Sequence, residues 1–137
     1  MMAFAASAAT LQVAYVAYLF FTQKMEGLPD YYVLSIKWSM ILFVIFAFEG
    51  FVMGSKLTHT IGGPDGGAGW FLVNWSKTFG DPRIAHFIGM HALQVLPVLS
   101  FYLFKNYFAT MLAIFLYTAL SVYVLIVAVQ GRPLIKG

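Results

Sequence analysis

The 137-residue sequence contains no cysteine. That excludes disulfides, thiolate metal ligands, Cys-ligated iron–sulfur clusters and cysteine nucleophiles within the chain. Charge is also scarce: Asp, Glu, Lys and Arg make up 9% of residues, against roughly 25% in a soluble domain. Eight Lys and Arg against five Asp and Glu give a net charge of +3. These cations are scattered and form no basic patch, which argues against nucleic acid as a partner. What is abundant is apolar: hydrophobic residues reach 61% and the mean hydropathy is +0.83. A soluble domain of this size cannot hide that much apolar surface, and a disordered chain has the opposite composition. The sequence is that of an integral membrane protein whose first partner is the lipid bilayer. Its opening, MMAFAASAAT, lacks the positive n-region of a signal peptide and reads as the start of a spanning helix.

A bilayer-spanning helix needs about 20 apolar residues. Four stretches satisfy this, at residues 3–22, 31–57, 82–104 and 107–130. The runs are continuous, unlike the short alternating strands of a membrane barrel. The expected fold is therefore all-α, a single transmembrane four-helix bundle with a long polar loop at 58–81. Asp81 is a suitable N-cap for the third helix and Pro82 suits its first position. Pro97 lies inside that helix, where it should kink it and free a carbonyl. Gly131-Arg132-Pro133 is a stop signal for the fourth helix.

An even number of spans puts both termini and the long loop on one side. Lys56, Lys77, Arg83, Arg132 and Lys136 fall there, and Lys24, Lys37 and Lys105 fall opposite. This excess points to both termini being cytoplasmic. Tyr31, Tyr32, Trp38, Trp70, Trp75, Tyr102 and Tyr107 cluster near the expected interfaces, as an aromatic belt does. Gly50 and Gly54 form a small-xxx-small pair, for which close packing inside the bundle is the plain explanation. No internal repeat or low-complexity linker is visible.

The chemistry concentrates between residues 58 and 94. The loop is longer than the 2–8 residues usual between packed helices. Its apolar members Trp70, Phe71, Leu72, Val73 and Trp75 argue for a segment that folds back on the membrane surface or re-enters it. His59, His86 and His91 lie in or beside this loop. Within an apolar helix, ionisable groups usually face protein or a water-filled cavity. At about 100° per residue and with His86 as origin, Met90 falls at about 40°, Arg83 at about 60°, Gln94 at about 80° and His91 at about 140°. This broad arc is expected to point into the bundle. His59 leaves the second helix on the side where His86 enters the third.

Three functional readings compete. In the first, two histidines ligate a b-type haem, with Arg83 pairing a propionate and Gly50, Gly54 or Gly62 admitting the porphyrin. In the second, His59, His86 and His91 hold a non-haem metal with Asp65, Asp81 or Glu49. The five-residue spacing of His86 and His91 weakens a helix-borne pair. In the third, the polar arc is a proton or small-molecule path in which Glu49 matters most. Against all three stands the plain alternative that the histidines and Arg83 tie down the long loop by hydrogen bonds. Other motifs are weak. The glycine-rich stretch 62–69 has no Gly-Lys-Ser/Thr and no preceding strand, so it is not a phosphate loop. Asn74-Trp75-Ser76 is a formal glycosylation sequon, no nucleophile elbow surrounds Ser76, and the scattered methionines read as core filler.

Residues 50–102 carry a pattern of His59-Thr60-Ile61-Gly62-Gly63-Pro64-Asp65-Gly66-Gly67, Asn74-Trp75-Ser76, Gly80-Asp81, Arg83-Ile84-Ala85-His86-Phe87 and Gly89-Met90-His91-Ala92-Leu93-Gln94. It resembles a signature of polytopic bacterial membrane proteins with no assigned activity, in which the stretch lies toward the C-terminal end of a longer chain. The resemblance supplies no reaction, and it implies a bacterial inner membrane as the location. It implies that His59, Asp65, Asp81, Arg83, His86, His91 and Gln94 belong to one signature, and that this chain is a short member or the C-terminal part of a larger protein. Ala68 and Trp70 depart from the Pro-Gly-Leu-Pro-like continuation of the pattern.

The leading expectation is thus a His-rich polar site near one membrane face that binds haem b for electron transfer. His59 and one of His86 or His91 would be the ligands, with Arg83 assisting and Glu49, Asp65, Asp81 and Gln94 as further polar members. The alternative from another class is an accessory or scaffolding subunit, packed against partner membrane subunits or a second copy of the chain.

Overall fold

The computed structural model describes residues 2–56 and 58–135. Leu57, the expected end of the second span, and Lys136, one of the cations counted on the loop side, lie outside the described residues. Among those described, the chain forms four α-helices: α1 (Met2–Thr22), α2 (Asp30–Lys56), α3 (Pro82–Val98) and α4 (Tyr107–Val129). A π-helical segment, Leu99–Phe104, continues α3. The stretches Ala3–Thr22, Asp30–Ser55, Pro82–Phe104 and Tyr107–Val129 are each long and apolar enough to cross a membrane. The chain is an all-α, multi-pass membrane protein.

Local chemistry sets the boundaries. Asp81 is extended, and its carboxylate accepts from the Arg83 amide to cap α3 ahead of Pro82. Pro97 has no N–H to give to the helix, and the wider π turn begins two residues later, a usual accommodation of a disturbed helical ladder. Lys105 in the left-handed region (φ 47°) reverses the chain, and Asn106 caps α4 by accepting from Ala109 N. At the far end Gly131 takes φ 72°. Its N–H donates to Ala128 O and that of Arg132 to Val127 O, a Schellman closure that only a left-handed residue permits without strain.

The core lies among α2, α3 and α4, built from Leu42, Phe46, Ile84, Ala85, Ala92, Leu96, Ile114 and Val124. Among the described residues α1 packs on α2 and on no other helix. Helical hydroxyls serve their own backbone: Ser35, Ser39 and Ser121 donate to Tyr32 O, Ile36 O and Tyr117 O, as a hydrocarbon setting demands. Ser100 instead spans elements, donating to Tyr31 O and bonding the Thr110 hydroxyl. The loop folds over the end of the bundle. It closes on itself through isolated antiparallel bridges, Ile61 with Gly80 and Gly69 with Ser76. Gly80 lies so close to Ala128 O that a Cβ there would collide with it.

Candidate functional site

Close approach of α2 and α3 builds the interior site. A Cβ at Gly89 would strike the Phe46 ring, and one at Gly50 would strike the His86 ring. With neither present, the His86 imidazole lies across α2. Its Nδ1 is 2.6 Å from Phe46 O and 3.5 Å from Glu49 Oε2. Phe46 O is the carbonyl that residue 50 takes in a regular helix, and its second lone pair is open because Gly50 carries no side chain. A carbonyl can only accept, so Nδ1 carries the proton and Nε2 is left to accept. Glu49 is more enclosed than its partner, with a side-chain exposure of 14% against 31% for His86. Its Oε2 is buried and has no hydrogen-bond partner among the described residues. Buried carboxylate oxygens are normally satisfied; here the His86 Nδ1 stands at 3.5 Å, at the outer limit of a hydrogen bond.

His86 and Met90 also line a groove of about 590 Å³. Its floor is the α2 face of Phe43, Ala47, Gly50 and Gly54, and its far wall is Ala3, Ala6 and Ala9 of α1. The small residues of the floor and far wall leave the groove open, and among the described residues α1 makes no packing contact with α3.

The remaining residues named by the sequence fall into separate arrangements. His59 and Asp65 form a second pair in the loop, Nδ1 to Oδ1 at 3.3 Å. Thr60 Oγ1 lies 3.2 Å from the same Nδ1, and the Thr58 hydroxyl donates to Asp65 Oδ1 at 3.1 Å. The Thr60 hydroxyl above all, with Thr58 and the His59 amide, holds the Asp65 carboxyl below its ordinary range. Asp81 and Arg83 form a clamp: Arg83 Nε donates to Oδ1 at 2.8 Å and Nη2 to Oδ2 at 2.6 Å. Ser76 N adds a donor to Oδ2 at 2.9 Å. His91 is exposed. Its Nδ1 meets Phe87 O at 2.7 Å and its ring stacks on Phe87 at 3.9 Å between centroids. Gln94 is exposed as well.

The broad arc expected to face the bundle is therefore divided. Ile84, Ala85, Gly89, Ala92 and Leu96 occupy the buried side of α3; these mostly small side chains let α2 and α4 come close. His86 and Met90 flank that stripe and reach the groove, whereas His91 and Gln94 lie beyond it. Among the described residues no three His, Asp or Glu side chains converge as a metal-ligating group. The Phe46 carbonyl is a site member that side-chain reasoning passes over; the small residue four positions on, Gly50, is the signal that could have found it. Comparisons with protein families, with curated proteins and with solved structures give no match to this chain.

Proposed function

We propose that this membrane protein handles protons, or a small molecule bearing an exchangeable proton, at the Glu49–His86 pair. The observation that carries the reading is the buried, unpartnered Oε2 of Glu49, 3.5 Å from a histidine nitrogen. An ionisable residue inside a spanning helix is expensive and is usually retained for function. The pair supports a relay. His86 accepts a proton at Nε2 and becomes imidazolium, then yields the Nδ1 proton to Glu49 Oε2. The Nδ1 lone pair now faces Phe46 O, an unfavourable contact that favours return of the original tautomer. A small molecule's hydroxyl would donate to the same oxygen. The reading also assigns the loop-bearing face to the cytoplasm, on the excess of Lys and Arg there, and takes a bacterial inner membrane from the sequence resemblance alone.

The test is proton flux into vesicles that hold the reconstituted protein and a trapped pH-sensitive dye. Glu49→Gln and His86→Gln should each lower the flux at least tenfold, while Gln94→Ala leaves it unchanged. Parent-level flux in Glu49→Gln, with the variant folded, ends the reading.

A second reading, electron transfer through haem b, draws on one feature. A carbonyl on Nδ1 orients an imidazole for ligation through Nε2, and Gly54, with open space beside it, lines the same groove. His59 is engaged with Asp65 and His91 with Phe87, so in this reading His86 provides one ligand and the other comes from outside these pairs. Haem would supply a one-electron redox centre. A Soret band with sharp reduced α and β bands, lost in His86→Ala, supports it; a featureless spectrum from protein made with ample haem removes it. If both readings fail, the accessory-subunit role is left, and co-purification with a stable partner in mild detergent tests it.

A further inference from the structure

The most exposed apolar side chains of the loop sit at the tip of a short, well-anchored hairpin at residues 68–77. Trp70 N donates to Trp75 O at 3.0 Å and Lys77 N to Ala68 O at 3.2 Å. The turn closes with Asn74 N donating to Trp70 O at 2.7 Å, and Asn74 takes φ 52°. The four-residue tip is Trp-Phe-Leu-Val, with Phe71 98% and Leu72 89% exposed. Elsewhere the hairpin is fixed. Arg83 Nη2 donates to Asn74 O at 2.8 Å, and Asp81 Oδ2 accepts from Ser76 N. The Trp75 ring meets the Phe87 ring edge-on at 5.6 Å.

The contact with Phe87 sets the depth. Phe87 lies five residues beyond Pro82, about 7.5 Å along the axis of α3 at 1.5 Å per residue. The hairpin therefore runs beside the first turns of a spanning helix and does not stand off its end. Phe87 is itself half-exposed on the outer surface of α3, so the tip continues an apolar surface on the outside of a helix long and apolar enough to span the bilayer. Lys77 Nζ lies 4.9 Å from the Trp70 ring centroid. An indole and an ammonium behind an apolar tip are the side chains that settle at the headgroup layer.

We infer that this hairpin is an interfacial anchor: Phe71 and Leu72 insert into the bilayer that the helices cross, with Trp70 and Lys77 at its headgroups. The inference stands apart from the proton reading, since none of these residues belongs to the Glu49–His86 site. Fixed by Arg83 and Asp81, the inserted tip would hold the loop at a constant depth beside the start of α3.

Absence of cysteine makes the test direct. Single nitroxide labels go on Phe71→Cys and Leu72→Cys in the full chain, reconstituted in phosphatidylcholine vesicles containing a minority of phosphatidylglycerol. Glu26→Cys, in the turn at the opposite face, serves as a water reference. Phe115→Cys, on the exposed side of α4, serves as a lipid reference. Collision rates with oxygen and with an aqueous nickel chelate are read by paramagnetic resonance. The labels at 71 and 72 should show an oxygen-to-nickel ratio several-fold above that at 26 and approaching that at 115. A ratio equal to that at 26 places the tip in water and overturns the inference. Shielding from both reagents places it against protein and overturns it equally. Both labelled residues are almost fully exposed, so labelling leaves the fold intact, and agreement between the two sites guards against a local artefact.

Discussion

Two carboxylates sit at the loop-bearing half of the bundle and are treated in opposite ways. Asp81 has a fully buried side chain, and four donors reach its two oxygens: Arg83 N, Arg83 Nε, Arg83 Nη2 and Ser76 N. Glu49 is largely enclosed, with a side-chain exposure of 14%, yet its buried Oε2 has no hydrogen-bond partner among the described residues. Asp81 is held where the loop meets α3, where it can cap a helix and gather a cation and a loop amide at once. Glu49 is held within the span of α2, about two turns from its loop end, with His86 beside it at 3.5 Å. Burial is common to both, so burial does not separate structural from functional groups here. Saturation does: a satisfied network rigidifies the chain, and an unsatisfied group is the one with capacity left for a ligand or a proton.

Replacing each carboxylate by its amide would break or sharpen this contrast. Asp81→Asn keeps the shape but removes the charge that Arg83 and the α3 N-terminus rely on. Breaking a buried pair costs about 3–5 kcal/mol; because Arg83 is partly exposed, a loss of about 2–4 kcal/mol is expected. Unfolding in detergent, followed by circular dichroism, measures it. Glu49→Gln should stay within about 1 kcal/mol of the parent, or exceed it, because an unpaired buried oxygen is replaced by a group that can also donate. Equal losses in the two variants would erase the distinction between them. Gly50→Ala comes next. Its methyl group would collide with the His86 ring, so either α2 and α3 separate or the ring leaves Phe46 O. Such overpacking costs about 1–3 kcal/mol. Proton flux should fall with it, and parent-level flux at reduced stability would detach His86 orientation from the proposed relay.

Features governed by neighbours in sequence were legible before the fold was known. The four spans follow from length and apolarity alone, and the Asp81–Pro82 start and the Gly131–Pro133 stop occur as local capping chemistry requires. Pro97 foretold a disturbed helix, though not that the disturbance would be a π turn. The candidate site was legible only in outline. Glu49 and His86 stood out as ionisable groups in apolar runs, but a helical wheel gives relative directions and leaves open which arc meets a neighbour. Close helix contact gave that arc to Ala85, Gly89 and Ala92, which left His91 and Gln94 outside. The Phe46 carbonyl was invisible because every residue has one, and only the packing over Gly50 makes this one count. The pairing of His59 with Asp65 depended on the loop's turns, set by glycines such as Gly62 and Gly66 at positive φ, which composition alone does not order.

The smallest expected effect belongs to that loop pair and extends the contrast to a carboxylate in water. Asp65 is exposed, and its charged form is favoured mainly by the Thr60 hydroxyl, with help from Thr58, the His59 amide and the His59 ring. Its folded pKa lies below that of an ordinary aspartate. The unfolded chain therefore binds the proton first as pH falls, and native structure holds fewer protons through that window. The stabilisation is fully present at neutral pH, begins to fade as pH drops through the ordinary carboxylate range and is gone below the depressed value. Amide hydrogen exchange at residues 58–66 should be steady between neutral pH and the upper edge of that window, then show greater opening as the carboxyl protonates. In Asp65→Asn the loop should already be looser at neutral pH and show no acid step, while exchange within α3 is unchanged. An acid step of undiminished size in Asp65→Asn would assign it to another group, and with it the ordering of the His59 loop.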